Sequence, residues 1–335
     1  MRPKSFMFVA GEASGDLLAA ELVQALRLEF TEAPPVLTTD LQPLHTSLEP
    51  RFFGAGGPRM AAAGVELAFD MTAHSVIGVS DVLRNYLTFR RLFDQLCQMA
   101  IDREPDVIVC VDFSGFNRRF AHAIKEYVRG HTGWFHDWDP KIVQYVSPQV
   151  WASREGRARQ MARDYDLLLS IFPFEKDWYA RRVPQLRVEF VGHPIVDRYN
   201  SAEAPSAVPS SSVHSPSSPL VLLLPGSRPG ELARHLPVML AALERMGAAT
   251  PNLRARMVLP DEALVQQAKG RHVPSYLDAQ VGGLPGALAE ASVAIASTGT
   301  VTLECAWFGV PTVAIYRTSW STYQIARQIV KVNTS

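Results

Sequence analysis

The sequence predicts an α/β protein built from two doubly wound parallel sheets. Three observations predict it. Short apolar runs rich in β-branched and aromatic residues alternate with helical patterns along most of the chain. Those runs are continuously apolar, as strands buried on both faces require. One segment, "SAEAPSAVPSSSVHSPSSP" (201–219), has almost nothing to bury and reads as a linker or disordered insertion. A chain of 335 residues is long enough for two domains. The expected boundaries are therefore 1–200, the linker 201–219, and 220–335.

The elements follow in order. "SFMFVA" (5–10) is the first strand; its apolar run is too short for a secretory signal and leads into an acidic turn. "GEASGD" (11–16) follows, where Gly11 and Gly15 permit a tight turn and Ser14 or Asp16 can cap a helix beginning near Leu17. In "DVLRNYLTFRRLFDQLCQMA" (81–100), Val82, Leu83, Tyr86, Leu87, Phe93 and Leu96 recur at helical spacing. "DVIVCVD" (106–112) is a strand, with a helix after Ser114. "HTGWFHDWDP" (131–140) is a loop whose two histidines fit either a metal site or plain solvation. "KIVQYV" (141–146), "DLLLSI" (166–171) and "RVEFVG" (187–192) are strands. Beyond the linker come "LVLLLPG" (220–226), a helix with the stripe Leu232, Leu236, Met239 and Leu240, then "RARMVLP" (254–260). "ASVAIAS" (291–297), a helix from near Val301, and "VPTVAIY" (310–316) complete the pattern.

Composition removes some function classes. Lys+Arg and Asp+Glu are both 33, so no global field recruits nucleic acid and an anion must be held by local geometry. Cys97, Cys110 and Cys305 are an odd, scattered set without metal-like spacing, which suits thiols in a reducing compartment, those of Cys110 and Cys305 buried. No apolar run is long enough for a transmembrane helix, which implies a soluble chain still free to touch a membrane surface.

Open α/β sheets bind ligands beyond the carboxyl ends of their strands, so the residues after each strand take priority. In "LLLPGSRPGELARHLP" (222–237), Gly226 lets backbone approach a ligand and Ser227 and Arg228 precede a helix. Free N–H groups, the positive dipole end and a guanidinium favour phosphate there. The alternative makes Ser227 an N-cap and Arg228 a solvated side chain. A second cradle is the turn Ser297, Thr298, Gly299 and Thr300. Glu304, one turn on, can accept from ribose hydroxyls or complement the helix N-terminus. Two cradles in one half-chain suggest a nucleotide diphosphate.

The N-terminal half offers "GEASGD", which is not G-x-G-x-x-G and so disfavours a dinucleotide. In "VDFSGFN" (111–117), Asp112 ends an apolar strand and can be a general base or a helix cap. His193 of "VGHP" (191–194) lines a cleft or serves as a hinge. No catalytic triad, carboxylate pair or Cys/His metal spacing is visible. Phosphate binding plus one base suits sugar transfer from a nucleotide diphosphate, with no cofactor or metal called for.

Nine motifs in order resemble the lipid-A-disaccharide synthase family: "AGEASGD" (10–16), "GAGGPRM" (54–60), "IGVSDVL" (77–83), "VDFSGFN", "YVSPQVWASR" (145–154), "FPFE" (172–175), "VGHP", "LPGSRPGE" (224–231) and "STGTVTLE" (297–304). The resemblance implies a GT-B architecture, two Rossmann-like domains facing across a cleft, and an inverting hexosyltransferase of lipid A and lipopolysaccharide biosynthesis. UDP-2,3-diacylglucosamine would donate its sugar to the 6-hydroxyl of 2,3-diacylglucosamine 1-phosphate, giving a β-1,6 disaccharide and UDP. It implies Asp112 as base, with Gly226, Ser227, Arg228, Ser297–Thr300 and Glu304 on the UDP side. The acceptor side would take Gly11, Glu12, Ser14, Gly15, Asp16, Arg154 and His193, with "GEASGD" or the glycines of "GAGGPRM" on the 1-phosphate. Acylated substrates imply a peripheral enzyme at the inner face of the cytoplasmic membrane. Segment 81–93, with Arg84, Arg90 and Arg91, is a candidate contact surface or else a core-packed helix with a wet face.

Two departures from the family stand out: a richer Ser/Pro linker, and an end at Ser335 where relatives continue. The second keeps open a catalytically impaired remnant that binds UDP or acyl sugar, beside another sugar-nucleotide enzyme of this fold. A dinucleotide oxidoreductase is the weakest alternative. Acyl-chain length and oligomeric state are not legible.

Overall fold

The structure, a computed structural model, describes residues 3–32, 49–74, 86–133, 136–200, 218–270, 273–274 and 276–318. The chain divides after His193 into two compact units.

The first unit holds a seven-stranded parallel sheet: β1 (Ser5–Ala10), β2 (Arg51–Gly56), β3 (Glu66–Asp70), β4 (Val107–Val111), β5 (Lys141–Tyr145), β6 (Leu167–Ser170) and β7 (Val188–Phe190), in the order β3-β2-β1-β4-β5-β6-β7. The order reverses between β1 and β4. Successive β1 residues feed opposite cores. Phe6, Phe8 and Ala10 meet Ala19, Ala20 and Val23 of helix Ala13–Glu32. Met7 and Val9 meet Leu96 and Ala100 of helix Tyr86–Arg103 and Phe120 and Ile124 of helix Ser114–His131. Burying each such side chain contributes roughly 1.5–3 kcal/mol, so the unbroken apolar run is what fixes β1 in the sheet centre.

The second unit has a five-stranded parallel sheet: β8 (Leu220–Leu224), β9 (Arg254–Leu259), β10 (Leu277–Val281), β11 (Val293–Ser297) and β12 (Thr312–Ile315), in the order β10-β9-β8-β11-β12. All five residues of β8 are buried. Val221 and Leu223 pack on Leu232, Leu236 and Met239 of helix Pro229–Ala249. Leu222 and Leu224 pack on Ala287, Leu288, Cys305 and Phe308.

Several expectations shift. The first helix starts at Ala13 rather than near Leu17, and the long helix starts at Tyr86. Leu87 is 78% exposed while Leu92 and Leu96 are buried, so the packed stripe of that helix differs from the expected one. Residues 75–85, which include Arg84 and the motif "IGVSDVL" (77–83), lie outside the described residues. Helix Ile195–Asn200 belongs with the second unit: Tyr199 stacks edge-on against Phe308 at 5.1 Å. The unit boundary therefore precedes the expected one at residue 200. The linker beyond it lies outside the description up to residue 217.

The histidines of the 131–140 loop are parted. His131 closes its helix, stacked on Tyr127 with centroids 4.0 Å apart, and His136 faces Glu104 at 3.5 Å. Among the described residues no group of three His, Cys, Asp or Glu could hold a metal ion, and no helix is long and apolar enough to cross a membrane. Cys110 and Cys305 are buried free thiols and Cys97 is partly buried. Burial pushes Cys97 up to about 12, with Asp94 adding to the shift, and drives Cys110 and Cys305 upward as well.

Candidate functional site

The strand order places four sequence motifs at two switch points, where ligands bind in such sheets. In the first unit Ala10 pairs with Val111, so "GEASGD" and "DFSGFN" leave neighbouring strands, roughly 5 Å apart. In the second, Leu224 pairs with Ala296, which roots the "PGSR" and "STGT" turns side by side.

Asp112 leaves β4 in the left-handed region with φ of 47°, and Phe113 follows at 42°. Val146, at the end of neighbouring β5, has φ of 67°. Each such residue costs about 1–3 kcal/mol and persists only where its surroundings enforce it. The enforcing groups are two buried amides. Asn117 Nδ2 donates to the Asp112 carbonyl at 2.9 Å and the Val111 carbonyl at 3.2 Å. Gln144 Nε2 donates to the same Asp112 carbonyl at 3.1 Å and to that of Val146 at 3.2 Å. The Asp112 N–H donates to the Tyr145 carbonyl at 2.9 Å. The helix that follows is capped by Phe113, with no side-chain cap bond, so Asp112 is not its N-cap. Sequence reasoning passed over Asn117, in the first turn of the helix after β4, and Gln144, inside β5.

Gly11 is a glycine because a Cβ there would lie 2.2 Å from the Phe113 ring. Gly15 lets its helix approach the β4 end, with a Cβ position 3.4 Å from the Val111 carbonyl. Asp16 departs from expectation. Its buried carboxylate accepts from the N–H groups of Gly57 at 2.7 Å, Arg59 at 3.0 Å and Met60 at 3.1 Å. It caps the helix Pro58–Ala62, not its own, and ties "GEASGD" to "GAGGPRM". Of the glycines expected on a phosphate, Gly57 thus has its N–H engaged by the protein's own carboxylate. Glu12 and Ser14 stand half-buried at the helix start.

The "YVSPQVWASR" loop is fastened by Glu175 of "FPFE", a residue with no expected role. Trp151 Nε1 donates to it at 2.9 Å and the Ser170 hydroxyl donates to its other oxygen. Burial raises the Glu175 carboxyl above its ordinary range, partly offset by the hydrogen bonds from Ser170, Trp151 and Ser147. Arg154 is exposed at the end of the short helix Val150–Ser153. His193 ends the first unit, its ring 6.2 Å from that of Phe172.

In the second unit Gly226 has φ of 117°, which favours glycine. The helix N-cap is Arg228, not Ser227. Glu231 folds back over the turn, its carboxylate accepting from the Ser227 N–H at 3.2 Å and from Arg228 Nη1 at 3.2 Å. The donors that suit a phosphate are thus engaged by an internal anion. Buried His235 ties the turn to the chain beyond β12: Nδ1 meets the Pro225 carbonyl at 2.8 Å and Nε2 accepts from the Arg317 N–H at 3.1 Å. That pair of partners selects the neutral Nδ1-protonated tautomer.

The neighbouring turn is open. Ser297 is buried at the end of β11, whereas Thr298, Gly299 and Thr300 are exposed. Gly299, at φ of 149°, caps helix Thr300–Trp307 without a side-chain bond. Glu304 accepts from the Tyr199 hydroxyl at 2.8 Å and lies 3.7 Å from Arg198. Burial raises its carboxyl, with Tyr199 and Arg198 partly opposing.

Known proteins match this chain closely. The lipid-A-disaccharide synthetase family profile matches residues 6–334. The lipid-A-disaccharide synthase of Myxococcus xanthus (strain DK1622) is 36% identical over 98% of this chain and 79% of its own length. That of Geobacter sulfurreducens is 35% identical over 98% and 78%. Among solved structures, a putative UDP-N-acetylglucosamine 2-epimerase from Listeria monocytogenes superposes with a TM-score of 0.58 at 12% identity, covering 97% of this chain and 82% of that one. The kitacinnamycin glycotransferase gives a TM-score of 0.55 at 17% identity, covering 96% and 83%. These two likenesses speak to the fold alone.

Proposed function

We infer, from the premise that the chain belongs to the lipid-A-disaccharide synthetase family and is a glycosyltransferase of lipid A biosynthesis, how its strand-end loops divide the work. The donor is UDP-2,3-diacylglucosamine and the acceptor is 2,3-diacylglucosamine 1-phosphate. The second unit holds UDP: the open Thr298–Thr300 turn and the Ser227–Arg228 turn supply N–H and guanidinium donors to the diphosphate. Glu304 receives ribose hydroxyls with the oxygen that Tyr199 does not occupy.

The first unit presents the acceptor, with Glu12, Ser14, Arg154 and His193 on its side. Asp112 takes the proton of the 6-hydroxyl as its oxygen attacks the anomeric carbon. The glycosidic bond to UDP breaks with inversion, and the diphosphate leaves onto the second unit's donors. The observation that carries this reading is the strained, amide-clamped Asp112 at the switch point of the sheet. Because both substrates are acylated, the enzyme works at the inner face of the cytoplasmic membrane. Exposed Leu87, Arg90 and Arg91 on one helix support a peripheral contact there.

The test is turnover by purified chain 1–335 with both acylated substrates in detergent micelles. Disaccharide phosphate and UDP should appear together. Asp112→Ala should lower the rate by about 10²–10⁴-fold, the range for a general base, while UDP binding persists. Equal turnover by the variant removes Asp112 from the chemistry.

A further inference from the structure

Arg118, Arg119, Arg154 and Arg157 are among the several arginines of the first unit with no carboxylate partner among the described residues, and they are the ones gathered after β4 and β5. Arg118 and Arg119 lie in the second turn of helix Ser114–His131, six and seven positions after Asp112. Arg154 and Arg157 flank the start of helix Arg157–Asp164, beyond β5, which pairs with β4. All four therefore stand at or near the carboxyl end of the sheet, the ligand side. Of the unit's other arginines, Arg103, Arg129, Arg182 and Arg187 each have a carboxylate.

Two carboxylates on the same segments are committed elsewhere. Glu155, between Arg154 and Arg157 in sequence, bonds Arg182 at 2.5 Å. Asp164 is fully buried and faces His122 at 3.1 Å. Arg118 reaches only the neutral amide of Gln160, and its Nε is buried without a hydrogen-bond partner. The bond from Arg118 to Gln160 brings helix Ser114–His131 against helix Arg157–Asp164, and Arg157 is held below the ordinary guanidinium range, first by burial and then by Arg154, Arg118 and Arg119. Uncompensated like charges oppose folding, and a bound dianion would neutralise them. Guanidinium forks match the oxygens of a phosphomonoester, which suits such a cluster better than a carboxylate of single charge.

We propose that Arg118, Arg119, Arg154 and Arg157 form a phosphomonoester site, and that in turnover it holds the 1-phosphate of the acceptor sugar. The second half rests on the acceptor reading above; the first does not. Arg154, expected from sequence as a lone anion contact, becomes one member of the set. An anionic lipid headgroup offers related chemistry and is separated by the test.

Glucosamine 1-phosphate, which has no acyl chain, is titrated with the full chain and followed by its phosphorus resonance. Wild type should broaden and shift the line, and Arg154→Gln/Arg157→Gln should weaken that binding by at least about tenfold, as loss of charge-assisted hydrogen bonds does. In micelles the same variant should raise the acceptor KM by a similar factor, with a smaller effect on kcat and none on the donor KM. Arg154→Gln alone, at an exposed position, keeps the test valid if the double variant does not fold. Phosphate binding that depends on the arginines in a chain without turnover upholds the site and sinks the acceptor reading. Equal binding by variant and wild type overturns the site. So does an unperturbed resonance with wild type, including the case in which the variant loses only its binding to phosphatidylglycerol-containing vesicles.

Discussion

Asn117 and Gln144 hold one carbonyl from two directions, and that carbonyl belongs to a residue in an unfavourable conformation. Asn117→Ala should destabilise the chain by about 2 kcal/mol, because buried carbonyls lose their donor. Asn117→Asp should cost more, since a carboxylate would face carbonyl oxygens. Urea unfolding measures both, and equal stabilities would show that the strain is held elsewhere. Glu231 poses the complementary case, an anion already seated on donors suited to phosphate. Glu231→Gln keeps the turn's shape while removing the charge, and should tighten UDP binding roughly tenfold by titration calorimetry. Weaker binding would mean that the carboxylate organises the turn rather than occupying it. The residues that sequence reasoning found, Asp112, Gly226 and Arg228, follow apolar runs and are conspicuous. Those it passed over, Asn117, Gln144, Glu175 and His235, act through partners distant in sequence or buried in helices, where nothing local marks them.

At the scale of elements, Glu175 fastens the loop after β5 to the helix Pro173–Arg182. Its carboxyl is raised by burial above the ordinary value of 4.5. Between that value and the raised one, the folded chain keeps a proton the unfolded chain has lost, so stability falls as pH rises through the window. Glu175→Gln should flatten the first unit's share of that fall, because the Ser170 hydroxyl can accept from the new amide and turn its single proton from Glu175 to the Phe172 carbonyl, 2.8 Å away. Denaturant midpoints measured from about pH 4.5 upward check it; an unchanged slope would assign the effect to other groups. Nine strands were legible because each carries a continuous apolar run. β2, β3 and β10 were not. β2 is interrupted by Gly54, while β3 and β10 lie on sheet edges, with only partial and alternating burial in "ELAFD" and "LDAQV". A search for continuous apolar runs passes over such alternating sequences, although the other two edge strands, β7 and β12, were found.

For the whole molecule, composition marked a gap without marking where one core ends. The Ser/Pro segment begins at residue 201, yet the second unit starts at Pro194, since Tyr199 is committed to Phe308 and Glu304. The buried cysteines carry a consequence for how the two units open. Cys110 sits in the central sheet of the first unit and Cys305 in a helix of the second, each without exposure to water. With thiols this deep and this weakly acidic, an alkylating reagent must wait for each unit to open. Labelling read by mass spectrometry should therefore give two separate opening rates from one unmodified chain. UDP should slow Cys305 and leave Cys110 unchanged if the nucleotide sits in the second unit; equal slowing would mean that the units open as one. The chain thus carries a clock in each half, set by its own folding.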